Sequence, residues 1–148
     1  MKPFEAETEI FDFAIAKEVQ ANALYLALAS KVDDPALKSV FTQLAEEELE
    51  HKAKLELEEM KLGLVVKQDA TADDQAYAEN VKLSQEINYT DVLNICIQKE
   101  REAFRLYVDL SWTVRQPLAR EMLLQLAEEE AKHKARFEME LDRLSQEQ

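Results

Sequence analysis

A displacement of 82 residues lays the second half of this chain on the first without a gap. The segment IAKEVQANALYLAL (15–28) falls on IQKEREAFRLYVDL (97–110), and QLAEEELEHKAKLE (43–56) falls on QLAEEEAKHKARFE (125–138). Between residues 14–62 and 96–144, 21 of 49 positions are identical. Two copies of one apolar pattern carry the same local preferences, so the chain is expected to fold as one unit used twice. With 148 residues the two copies are predicted to share a single domain. Repeat one covers about 5–62, a crossover 63–89, and repeat two about 90–146.

The pattern inside each copy is helical. In the first, apolar residues recur at helical spacing through Phe11, Ile15, Ala21, Leu28 and Val32. Asp33-Asp34-Pro35 then ends one helix and starts another, with Asp34 as N-cap and Pro35 at the first helical position. The second helix passes through Leu37, Phe41, Leu44 and Leu55 and ends at Gly63. In the second copy Thr90 or Asp91 is expected to cap a helix reaching about Val114. Arg115-Gln116-Pro117 then turns into a last helix running nearly to the C-terminus. One glycine and three prolines leave little punctuation for hairpins of strands. Short turns within each copy predict two antiparallel helical hairpins, hence an all-α four-helix bundle. The crossover is unusually long. At about 3.3 Å per extended residue it can span a helix of roughly 36 Å and set the third helix parallel to the second. The stretch ADDQAYAEN (72–80) is a candidate short helix within it.

Charge narrows the partners. A net charge of −13, with Lys and Arg interspersed among acids, argues against nucleic acid, whose phosphates need clustered cations. No apolar run approaches the roughly 18 residues of a membrane span, and MKPFEAETE lacks the basic start of a signal peptide. A soluble cytoplasmic protein is expected. The lone cysteine, Cys96, excludes an internal disulfide and any four-cysteine metal site.

At about 100° per residue, the inward seam of the second helix reads Phe41, Leu44, Glu48, His51, Leu55. The fourth reads Leu123, Leu126, Glu130, His133, Phe137. The first and third read Phe11, Ile15, Glu18, Ala21, Tyr25, Leu28 and Leu93, Ile97, Glu100, Ala103, Tyr107, Leu110. Each seam is apolar at its ends and acidic in its middle. A buried carboxylate must be protonated, paired or bound to a cation, and no Lys or Arg occupies the seams at that level. Four carboxylates and two neutral imidazoles balance two divalent ions. Glutamates from two helices with Glu-x-x-His from two others form the ligand set of a dinuclear carboxylate site, and oxygen with imidazole suits iron, manganese or a mixed pair.

The plainer reading is a solvated acidic face. With 22 glutamates in 148 residues, Glu-x-x-His arises by chance beside about one histidine in seven. Both histidines of this chain lie in that motif, each 33 residues after a seam glutamate, and the pattern favours metal. Tyr25 and Tyr107 are core residues or, as buried phenols seeking an acceptor, hydrogen-bond partners of a ligand carboxylate. Ala21 and Ala103 leave room for a small oxidant or serve helix packing. Trp112 and Phe104, off the seam, are candidates for a subunit contact.

At E18VQANALY25, E48LEH51 and E130AKH133 the chain resembles the rubrerythrin branch of the ferritin-like superfamily, over nearly its whole length. The resemblance implies a non-haem di-iron centre with Glu18, Glu48, His51, Glu100, Glu130 and His133 as ligands. It further implies two iron ions, reaction with hydrogen peroxide or dioxygen, and a homodimer. Glu48 and Glu130 would bridge, Glu18 and Glu100 would be terminal, and each metal would take one histidine. Rubrerythrins proper carry a rubredoxin domain with four cysteine ligands, absent from these residues, so electrons are expected from a separate donor protein. They also carry a further ligand glutamate where this chain has Ala103, which makes the six-ligand set more similar to ferroxidase-type centres. Two functions follow as expectations: a di-iron oxidoreductase of peroxide-reductase or ferroxidase type, or an iron-handling protein without catalytic turnover.

Overall fold

The computed structural model describes residues 3–63 and 88–146, which form four helices. They are α1 (Pro3–Lys31), α2 (Pro35–Lys61), α3 (Tyr89–Ser111) and α4 (Pro117–Gln146). No strand occurs among the described residues. The crossover, with its candidate helix at 72–80, falls almost wholly outside them. No described helix is long and apolar enough to cross a membrane.

The chain divides into two compact units, residues 1–82 and 83–148. In the first, α1 packs on α2. Glu18 meets His51, Asn22 donates to the Ala45 carbonyl at 2.8 Å, and Tyr25 stacks on Phe41 with centroids 6.2 Å apart. Numbers rise on one helix as they fall on the other, so the hairpin is antiparallel. Its interior comes from the seam and its flanks: Phe11, Ile15, Leu24, Leu28, Leu37, Phe41 and Leu55 are all essentially inaccessible to solvent. Each such side chain stabilises the fold by about 1.5–3 kcal/mol relative to exposure.

The turn behaves as the sequence predicts. Asp34 caps α2, its Oδ1 accepting from the backbone N–H groups of Ala36 (2.9 Å) and Leu37 (3.1 Å), with Pro35 first in the helix. At the far end Gly63 takes the left-handed conformation, φ 76°, and its N–H donates to the Met60 carbonyl. Glycine adopts that conformation without steric cost, which closes the helix.

In the second unit α3 packs on α4, around Leu93, Cys96, Tyr107, Leu123, Leu126 and Phe137. Its start differs from expectation. Asn88 is the N-cap, accepting from the Asp91 N–H at 3.2 Å, so Thr90 and Asp91 lie inside the first turn. Asn is as good a cap as Asp, and Asp91 instead places its charge where the helix dipole favours an anion. The helix also ends earlier than Val114, at Ser111, with Trp112 as C-cap.

Candidate metal centre

Each hairpin carries a buried Glu-Glu-His triad at mid-height. In the first, Glu18 comes from α1 while Glu48 and His51, one turn apart, come from α2. His51 Nδ1 lies 3.5 Å from a Glu18 oxygen and 3.8 Å from a Glu48 oxygen. In the second, His133 Nδ1 on α4 lies 3.6 Å from Glu100 on α3 and 3.7 Å from Glu130 on α4. All six residues expose 3% or less of their surface. Within each triad, one ligand-type atom from every residue lies within 4.8 Å of the others.

These separations exceed those of good hydrogen bonds. Two atoms each about 2.1 Å from one ion are roughly 3.0–3.6 Å apart, depending on the angle. The triads therefore resemble donor sets gathered around a position more than ion pairs closed on themselves. No Lys or Arg is among the buried charged residues described, so neither residue type neutralises the carboxylates.

The electrostatics of the second triad follow from that crowding. Burial pushes the Glu100 carboxyl well above the usual range, the neighbouring Glu130 pushes it further, and His133 partly opposes both. For His133, burial disfavours the cation. The carboxylates of Glu100 and Glu130 outweigh burial and raise the imidazole to about 10. Without a metal, the triad holds protons where a cation would otherwise sit.

Tyr25 and Tyr107 are both buried, at 1% exposure, seven residues past Glu18 and Glu100 and about two turns nearer their hairpin turns. Cys96 is fully buried. Burial, then the Glu100 charge, pushes its thiol up, with Lys99 opposing, as for an inert core cysteine. Ala21 and Ala103 are half-buried, while Trp112 and Phe104 are exposed.

One buried carboxylate escaped the seam reading. Glu59 is fully buried on α2, four residues past Leu55, beside Asp12 of α1. The steps 48, 51, 55, 59 carry the inward seam onto it. The second copy has Leu141 at that register, and this is the signal that could have found it.

A buried carboxylate–imidazole triad on each of two matching helical hairpins is a donor set compatible with metal binding. A family model described as Rubrerythrin matches residues 9–141. The chain belongs to the rubrerythrin family and so has the ferritin-like fold expected of it. A solved structure titled as a hypothetical protein from Pyrococcus furiosus is similar in fold, with a TM-score of 0.72 at 22% identity over 95% of this chain and 90% of that one. No curated protein matches the chain.

Proposed function

We propose that the two triads together hold two iron ions and that the protein is a non-haem di-iron oxidoreductase acting on hydrogen peroxide or dioxygen. The observation that carries this reading is the pair of buried triads, with no Lys or Arg among the buried charged residues described. Each has two carboxylates and one imidazole, so one divalent ion per triad balances the charge when the imidazole is neutral. Family membership supports joining the two into one dinuclear centre. In that centre Glu48 and Glu130 would be ligands common to both metals, Glu18 and Glu100 would each serve one, and His51 and His133 would serve one metal each.

Bound iron supplies redox equivalents to the oxidant; the chain's own residues bind, orient and exclude water. The apolar residues above and below each triad keep solvent from the carboxylates, which strengthens every interaction among them. Tyr25 and Tyr107 hold ligand carboxylates by donating their phenolic hydrogens. Ala21 and Ala103 leave space next to the glutamates for a small oxidant. A separate donor protein returns the electrons, and the molecule works as a homodimer.

The deciding experiment is anaerobic loading with ferrous iron, followed by peroxide or dioxygen in limiting portions with an external reductant. About two irons per chain and repeated oxidation cycles are expected. A single stoichiometric oxidation would point instead to iron handling without turnover, and failure to bind metal would end the di-iron reading.

A further inference from the structure

Glu59 is a buried acid that no donor among the described residues satisfies. Its residue exposure is 0%, and among the described residues no hydrogen-bond donor reaches either oxygen. Its polar neighbour is the Asp12 carboxyl, across the hairpin on α1 and within hydrogen-bonding reach. Glu56, one turn back on α2, adds further negative charge from the side. Among the described residues, the titratable groups acting on Glu59 are Asp12 from α1 and Glu56 from its own helix, both acidic.

The duplication shows that the hairpin does not require this arrangement. At the equivalent positions, 82 residues on, the second copy carries Leu141 for Glu59 and Asn94 for Asp12. Leu141 is half-buried and Asn94 exposed. The register is met there by an apolar and a neutral side chain, so the acid pair is present in one copy alone.

A carboxyl as buried as Glu59 cannot ionise beside a second, half-buried carboxylate without a penalty. A single proton between them removes the like-charge repulsion and supplies the missing donor, since a carboxylic O–H bonded to a carboxylate is a short, charge-assisted hydrogen bond. We propose that Asp12 and Glu59 share one proton and that this acid pair is a pH-operated latch tying the first turns of α1 to the last turns of α2.

Burial first, and Asp12 second, raise the Glu59 carboxyl from 4.5 to about 7. The folded chain then keeps a proton that the unfolded chain has released between about pH 4.5 and pH 7. The latch contributes fully below the unfolded value, and its contribution is lost as pH rises through about 7. Above that, the buried Glu59 carboxylate and the half-buried Asp12 carboxylate oppose each other, and the ends of the hairpin separate. Because α2 ends at Lys61, the turn freed is the one leading out of the hairpin. This latch is independent of iron at the triads.

The test compares the full chain with Glu59→Leu, which installs the second copy's residue, and Glu59→Gln, a neutral isostere. Hydrogen exchange, corrected for intrinsic rates, reads the opening of residues 8–16 and 55–62. From about pH 5.5 to pH 8 the opening equilibrium of the wild type should rise by more than about tenfold, and both variants should lose most of that rise. Infrared spectra should show a protonated-carboxyl stretch in the wild type at the lower pH that Glu59→Gln removes. A pH response unchanged by either substitution overturns the latch. So does binding of manganese or calcium that Glu59→Leu abolishes with the triads still loaded, because the pair would then hold a metal ion rather than a proton. Ferrous stoichiometry at the triads, measured on the same variants, should stay at the wild-type value.

Discussion

The two hairpins use one register and reach the same interior by opposite means. In the first, Phe11 lies on α1 and Leu55 on α2; in the second, the same positions are Leu93 on α3 and Phe137 on α4. All four are fully buried. The large side chain has changed helices, and the volume at that level has stayed constant, as close packing demands. The turns differ in the same manner. In the first hairpin, Asp34 accepts from the start of α2. In the second, Gln116 stands at that position, and Arg120 donates instead to the carbonyls of Ser111 (3.0 Å) and Val114 (3.1 Å), at and beyond the end of α3. One device satisfies donors entering a helix, the other acceptors leaving one. The triads differ hardly at all, with imidazole–carboxylate distances of 3.5 and 3.8 Å against 3.6 and 3.7 Å. After duplication, packing and caps were free to drift by compensation, whereas the Glu-Glu-His geometry was not.

That contrast can be tested, beginning where the effect is largest. Phe11→Ala and Phe137→Ala should each cost about 3–5 kcal/mol in chemical denaturation of the metal-free protein, because each opens a cavity in a different hairpin. A loss confined to one of them would mean that the hairpins do not share the load. Glu18→Ala and Glu100→Ala should each remove metal, lowering the bound stoichiometry. At ferrous iron near 100 times the dissociation constant, the variant should forfeit roughly 2.7 kcal/mol of ligand-induced stabilisation per site lost. Metal analysis with thermal shifts checks this, and an unchanged stoichiometry in either variant would contradict the assignment of its triad.

The exchanged phenylalanine allows a sharper test. Phe11→Leu should leave a void and Leu55→Phe should overpack, each costing about 1–3 kcal/mol. The double variant reproduces the arrangement of the second hairpin and should recover most of the loss, a coupling readable in a double-mutant cycle. Smaller still, Asp34→Ala should cost about 1 kcal/mol through loss of its cap, and Gln116→Asp should gain a fraction of that by giving the second turn the first turn's device. If Gln116→Asp destabilises, Arg120 already closes that turn and a second device interferes.

Periodicity made most of the fold legible. Helix existence, the Asp34-Pro35 start, the Gly63 stop and all six buried triad residues follow from spacing along the chain, because a helix converts sequence separation directly into angle. The start of α3 was not legible in the same way. Asn88, Thr90 and Asp91 are all competent near an N-terminus, and the choice among them depends on which side chain meets a backbone N–H. Glu59 escaped for a different reason: in LELEEM it looks like one more surface acid, and it emerges only when the inward seam is extended four residues past Leu55 and compared with Leu141 in the second copy.

Sequence alone determined the duplication, the helical seams and the kinds of atoms offered to a metal, since all three are local or periodic. Tertiary structure alone decided that His51 and His133 turn Nδ1 toward their glutamates, that Phe and Leu trade places across a hairpin, and that Asp12 and Glu59 meet. Contacts between helices depend on which residues cover one another, and that is written in no stretch of chain taken by itself.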